Sequence, residues 1–302
     1  MNRPTRFDSG RPVFVSSFTL PLVLHLTFLT LGSLLHATSV QANEPVSFSP
    51  IEVTLISDHR TIAPGRPFWL GIRQVIKPGF HTYWKNAGTV GLPAAVKWKL
   101  PEGFSAGPLL WPTPTHRQMV DYRVWGYQKE ALLITKITPP EELPTGRPYT
   151  FIGDASWMCC GKQCYPGFEP LKITLPATDK AVIIPSEHQR FQATLNEQAH
   201  VSQQWQVRAF KDTSSFRLEI TPRIPNDNLP SRKLQFFGYH RLVSSDKIQT
   251  IRLSSKGYIL DLPAEEFSPE ERTSLEGIVI SDPPWDPAKP KSPLAIRATL
   301  IE

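Results

Sequence analysis

Trp157-Met158-Cys159-Cys160-Gly161-Lys162-Gln163-Cys164-Tyr165-Pro166 holds all three cysteines of a 302-residue chain. Extended apolar runs precede it (Tyr149 to Ile152) and follow it (Leu171 to Leu175), while Gly161 and Pro166 punctuate it. The pattern predicts a β-hairpin with the cysteines at its tip. With Gly161, Lys162 and Gln163 as the turn, Cys160 and Cys164 oppose each other. Opposed strand residues have Cα atoms ~4.5–5.5 Å apart, a span a disulfide tolerates. Cys159 then points to the other face, because adjacent strand residues alternate. A register shifted by one residue pairs Cys159 with Cys164 instead.

Outward from the hairpin, short apolar runs recur with turn signals between them. Ile51, Val53 and Leu55 alternate, Phe68 to Ile72 follows a Pro-Gly turn, and Phe80 to Trp84 is an aromatic strand. Val96 to Leu100 alternates apolar residues with lysines, and Ala131 to Ile137 is a further strand. Strands at this spacing predict an immunoglobulin-like β-sandwich rather than a parallel α/β sheet. Pro185 to His200 breaks the pattern and reads as a short helix or linker, with Ser186 as a candidate cap. Beyond it seven runs from Trp205 to Leu300 predict a second β-sandwich without cysteine. The expected organisation is residues 1–42 as a signal peptide, 43–178 as the cysteine-bearing sandwich, 179–200 as linker and 201–302 as the second sandwich.

Arg3, Arg6 and Arg11 precede an apolar run from Val13 to Leu35, and Ser39-Val40-Gln41-Ala42 supplies small residues for cleavage. That is the layout of a secretory signal; an uncleaved membrane anchor is the competing reading. The formal charge is +6, and removing residues 1–42 takes away three Arg and one Asp and leaves +4. Without a Lys/Arg cluster this excess gives no footprint for nucleic-acid binding. Three cysteines are too few for a disulfide-stapled scaffold. The 31 prolines suit a loop-rich β-protein, since proline is excluded from helix interiors and central strands.

A bridge closing so small a loop stabilises by at most ~2–3 kcal/mol. A short bridge at an exposed tip is more often labile and catalytic than structural. Lys162 in the turn is either a solvated charge or a group favouring a thiolate. The rival chemistry is a metal: Cys159, Cys160, Cys164 and Met158 are soft ligands of the kind copper(I) or zinc accepts. His81 and His116 join them only if the fold brings them near. Adjacent cysteines on opposite strand faces make poor co-ligands, so neither a metal nor another cofactor is assigned. No hydrolase triad, phosphate-cradling loop or pair of catalytic carboxylates stands out.

Three motifs occur in order: G-F-H-T-Y-W-K-N-A-G-x-x-G-L-P (Gly79 to Pro93), E-G-F-x-x-G-P-x-x-W-P (Glu102 to Pro112) and W-x-x-C-x-x-x-C-x-P (Trp157 to Pro166). Together they resemble the exported N-terminal region of the thiol:disulfide interchange protein DsbD and of its copper-sensitivity-suppressor relatives. The resemblance covers Val46 to Leu175 and implies an immunoglobulin-like sandwich with a redox cysteine pair, Cys160 and Cys164, on a hairpin. It implies a cap loop carrying an acidic and an aromatic residue, for which Asp121 and Trp125 are the candidates. Tyr83, His81 and Tyr165 fall beside the pair, with Cys159 as an extra thiol and Tyr83 and Trp125 open to a plain core role. The implied partners are a membrane thiol transporter or thioredoxin-like donor protein and exported thiol–disulfide clients, in the periplasm. Nothing in the sequence resembles the membrane and thioredoxin-like domains that follow this region in DsbD, which implies either a separate donor or a domain that has lost the relay and does something else. The alternative from another class is a copper-handling or adaptor module whose disulfide is structural.

Overall fold

In the first half of the chain, period-2 apolar runs interrupted by Pro and Gly build strands that pair almost wholly antiparallel. They are β1 (Ile51–Ser57), β2 (His59–Thr61), β3 (Phe68–Ile76), β4 (Thr82–Gly88), β5 (Ala95–Lys99), β6 (Ser105–Leu110), β7 (Thr115–Met119), β8 (Tyr122–Tyr127), β9 (Glu130–Thr138), β10 (Pro148–Cys160) and β11 (Cys164–Pro176). The computed structural model describes residues 48–302 except 227, 267 and 269–271. The expected signal peptide lies outside the described residues.

One sheet has the order β1-β3-β9-β6 and faces a second of order β11-β10-β5. Ile62, Phe68, Leu70, Ile137, Tyr149, Phe151 and Leu175 fill the space between them. A third small sheet, β4-β8-β7, flanks the upper end of β10. Pro101 to Pro114 reads as loop from its glycines and prolines, yet it contains β6. That strand is at a sheet edge, with its register broken between Ala106 and Leu109, where a proline is tolerated.

After the two-residue strand β12 (Val182–Ile183), which pairs with β2, comes α1 (Pro185–Asn196). The helix starts one residue before the expected cap. Ile184 is the N-cap and makes no side-chain bond, and Pro185 sits in the first turn, where its missing N–H costs nothing. Phe191 packs with Leu132 and Ile134 of β9, and Gly71 leaves room for its ring: a Cβ there would come within 2.9 Å of it.

All seven runs of the second half are strands: β13 (Trp205–Lys211), β14 (Ser215–Pro222), β15 (Lys233–Gly238), β16 (Thr250–Ser254), β17 (Gly257–Pro263), β18 (Ser274–Asp282) and β19 (Leu294–Ile301). They form a sheet of order β15-β18-β19-β13-β14-β17-β16, in which β13 and β19 run parallel. Its core gathers Leu218, Phe236, Tyr258, Leu260, Val279 and Trp285. Among the described residues the architecture is all-β and immunoglobulin-like, with one short helix, as the spacing of the apolar runs predicts.

The two halves share a core. Phe237 of β15 and Ile278 of β18 are buried among Trp84, Trp125, Tyr127 and Leu133 of the first half. Trp84, Trp125 and Phe237 meet edge-to-face, with centroids 5.4–6.3 Å apart. Packing of this kind contributes ~0.5–1.5 kcal/mol per ring pair beyond area burial.

Candidate functional site

The β10–β11 hairpin sets the site. Its register runs without slippage from Pro148↔Pro176 to Cys160↔Cys164, so the last two residues before the turn are directly opposed. Gly161 N–H donates to the Gln163 carbonyl (2.9 Å), closing the turn. Cys160 and Cys164 are joined by a disulfide with Cα atoms 4.1 Å apart. The shifted pairing does not occur: Cys159 opposes Tyr165, is free, and is buried in the shared core. Burial pushes its thiol up to about 12, so it is neutral at ordinary pH.

The two bridged sulfurs differ in access. Cys160 has no exposed surface, whereas Cys164 is exposed. Cys160 is sealed because β4 docks on the end of β10: His81 N–H donates to the Cys160 carbonyl and Cys160 N–H to the His81 carbonyl, both at 2.9 Å. Such a reciprocal pair puts both side chains on the same side of the sheet. Tyr83, Ala87 and Val124 bury Cys160 there, with Val90, Met119 and Met158 packed around them. Tyr83 donates its hydroxyl to Met119 Sδ (3.0 Å). The glycine-rich loop closes over this ring at Gly91, whose φ is +106° and where a Cβ would lie 2.1 Å from the ring. Burial, and then the nearby Cys159 sulfur, push the Tyr83 phenol up to about 12.

His81 is only 2% exposed, and its edge-to-face partner is Tyr83, 5.1 Å between centroids. Its Nε2 is buried and has no hydrogen-bond partner among the described residues. Burial, and then the Arg117 charge, hold its pKa at about 4, so the ring is neutral near pH 7.

The remaining candidates divide. Asp121 is exposed at the tip of the β7–β8 turn, beside Val120 and next to the inward-pointing Met119. Trp125 does not join the cap. It follows Val124 on β8 and therefore faces the opposite way, into the shared core. Tyr165 forms an aromatic ledge with Phe48 (5.6 Å) and Phe80 (5.9 Å) beside Cys164. His116 lies against Phe237 (5.4 Å), away from the Cys160 cluster. Among the described residues no group of three His, Cys, Asp or Glu side chains is placed to hold a metal ion.

Several supporting residues had no signal in the sequence, because they come from the second half of the chain. Ser245 Oγ donates to the Arg123 carbonyl (2.6 Å) and accepts from Thr89 N–H (2.9 Å), tying the cap strand to the glycine-rich loop. Asp246 accepts from Arg123 N–H (2.8 Å), and Glu265 from the Thr89 hydroxyl (2.7 Å). Asn86 donates to the carbonyls of Gly238 and His240 (2.8 and 3.0 Å). Residues 238–265 thus hold two of the segments that cover Cys160. Met158 stood out in the sequence only as a soft ligand for a metal, and Met119 not at all.

Residues 52–176 match the family model described as the N-terminal part of thiol:disulfide interchange protein DsbD. No match to the chain is found among curated proteins. Among solved structures, the N-terminal periplasmic domain of ScsB from Proteus mirabilis aligns with 84% of this chain and 94% of its own, at a TM-score of 0.58 and 13% identity. The reduced DsbD N-terminal domain of Neisseria meningitidis aligns with 41% of this chain and 85% of its own, at a TM-score of 0.28 and 15% identity. The first likeness is one of fold and spans both halves; the second carries no argument here. The hairpin disulfide lies inside the matched segment, so residues 52–176 are similar to the DsbD N-terminal family over the part that carries the site.

Proposed function

We propose that the protein exchanges thiols and disulfides with protein partners outside the cytoplasm, through Cys160 and Cys164. The observation that carries this reading is the asymmetry of the bridge: one sulfur open at a hairpin tip, the other sealed beneath Tyr83 and Met119. An incoming thiolate reaches Cys164 Sγ and forms a mixed disulfide, and the electron pair of the broken bond leaves on Cys160. A second thiol of the partner then attacks its own sulfur in the mixed disulfide and releases Cys164. Two electrons and two protons end on the pair, and the partner dithiol becomes a disulfide. Reversal delivers those electrons to a client. A membrane thiol transporter or thioredoxin-like protein suits the donor role, and exported thiol proteins the client role.

The Phe48–Phe80–Tyr165 ledge gives a partner apolar surface next to the reactive sulfur. The cysteine-bearing sandwich (43–178) performs the exchange, and we assign residues 201–302 the task of holding its cap. Residues 1–42 act as the export signal, and among the described residues no helix is long and apolar enough to cross a membrane.

Mixed-disulfide trapping tests the reading. The Cys160→Ala variant should capture an oxidised thioredoxin-like protein through Cys164, seen as a covalent adduct by mass spectrometry, while Cys164→Ala should not. A bridge that protein dithiols cannot reduce at neutral pH, with a potential below about −300 mV, would mark it as structural instead.

A further inference from the structure

The His81 backbone pairs with that of Cys160, whose sulfur leaves, and its Nε2 is buried without a hydrogen-bond partner among the described residues. We propose that His81 is the hydrogen-bond partner of the Cys160 sulfur in the reduced form, so that Nε2 becomes satisfied when the disulfide opens. The inference rests on the exchange reading for its biological use.

When a thiolate attacks Cys164 Sγ, the Cys164–Cys160 bond breaks and Cys160 becomes a thiolate inside a cluster of Tyr83, Ala87, Val124, Met119 and Met158. A thiolate there has lost its water, and without a donor the step is disfavoured by desolvation. The other nearby donors are engaged or more distant. The Tyr83 hydroxyl is directed at Met119 Sδ (3.0 Å), and the Cys160 N–H at the His81 carbonyl (2.9 Å). Arg117 holds Gln128 Oε1 through NH1 (2.9 Å) and Thr115 through NH2; its Nε–H has no partner among the described residues, but β7 is separated from the His81–Cys160 pair by β8 and β4. The side chains of Ala87, Val124 and the two methionines have no N–H or O–H to give. His81 remains. Its backbone is paired reciprocally with Cys160, which places its ring on the sulfur's side of the sheet.

A neutral imidazole serves both stages. As Nε2–H it donates to the leaving thiolate, and in the other tautomer Nε2 accepts from the Cys160 thiol once a proton has arrived. In the disulfide form the Cys160 sulfur carries no proton and no charge, which accounts for the vacant Nε2 seen here. A nitrogen unsatisfied in one redox state and satisfied in the other biases the pair toward reduction.

The charged or titratable groups near His81 and Cys160 are Tyr83 on β4, Arg117 on β7 and Cys164 on β11, with Cys159 on the opposite face of β10. Tyr83 and Cys159 both ionise only near about 12, and arginine stays charged. Between roughly pH 5 and 9 the His81 ring stays neutral, and the pH response therefore belongs to the two thiols.

The first test uses the unaltered full chain, labelled with ¹⁵N-histidine and reduced with a water-soluble phosphine, which is oxidised to the phosphine oxide. The His81 Nε2 resonance should move on reduction to a hydrogen-bonded position. An unchanged resonance overturns the proposal. The second compares His81→Phe and His81→Gln across pH 5–9 in dithiothreitol buffers. His81→Phe should disfavour the reduced pair by about tenfold or more and slow its opening similarly. His81→Gln, which keeps an N–H near the Nε2 position, should recover most of both. Wild-type behaviour of His81→Phe, or equal loss in the two variants, would make the ring mere packing. Because the phosphine needs no partner protein, these outcomes are independent of whether protein dithiols react, and that failure would count against the exchange reading alone.

Discussion

Cys159 and Cys160 are neighbours on one strand with opposite fates, and strand alternation is the whole reason. Cys160 enters the cluster under the cap, while Cys159 enters the apolar core beside Ala155 and Trp157. With its thiol pushed to about 12, Cys159 carries almost no thiolate and should not act as a nucleophile. In the reduced protein, timed alkylation at pH 8 should label Cys164 first, Cys160 more slowly and Cys159 only on unfolding. Cys159→Ser should leave the exchange rate unchanged yet lower stability by about 1–3 kcal/mol, because a hydroxyl would be buried without a partner. Urea unfolding beside an exchange assay reads both. At this scale the pairing was legible, since period-2 alternation needs only the residues themselves. The surroundings of His81 were not: an isolated histidine gives no hint that β4 will dock on β10 and strip its ring of water.

The β7–β8 hairpin and the loop from Asn86 to Pro93 act as a cover whose shape depends on a few backbone contacts. Gly91 is fixed by its φ of +106° and by the Tyr83 ring directly beneath it. A side chain there meets both backbone strain and the ring, so Gly91→Ala should displace Tyr83, lower stability by about 1–3 kcal/mol and speed alkylation of Cys160 in the reduced protein. Ser245→Ala removes the hydroxyl that serves both Arg123 and Thr89, leaving two part-buried backbone groups without it. It should cost about 1–3 kcal/mol, with faster hydrogen exchange confined to residues 86–93 and 122–127. Strands were the legible elements because alternation and turn residues are local signals. The start of α1 was misplaced by two residues because Pro185 favours the first helical turn more strongly than Ser186 favours the cap. β6 was hidden because its Gly107 and Pro108 imitate a loop, and only pairing with β9 makes it a strand.

At the scale of the molecule, two effects bear on stability. Burial holds both His81 and His116 at about 4, against 6.5 in an unfolded chain. Between those values the unfolded chain binds protons that the folded one refuses. Stability is therefore intact above pH 6.5 and falls as pH drops from 6.5 toward 4. The double variant His81→Gln/His116→Gln should show a shallower fall in melting temperature over that window. The other effect concerns the two halves. A sequence of two successive strand-rich runs cannot reveal whether they touch, because each satisfies the sandwich pattern alone. In the fold, Phe237 has no exposed surface and lies between Trp84 and Trp125, so the second half completes the core of the first. Unfolding one half would expose the tryptophans of the other, which couples their stabilities. The expected result is one calorimetric transition for the folded region, not two. Phe237→Ala leaves a ring-sized cavity at the junction and should lower stability by about 3–5 kcal/mol. If the coupling holds, the transition shifts down as a whole. Should it instead split, with a cysteine-bearing part melting at the original temperature, the halves would be independent domains that merely touch.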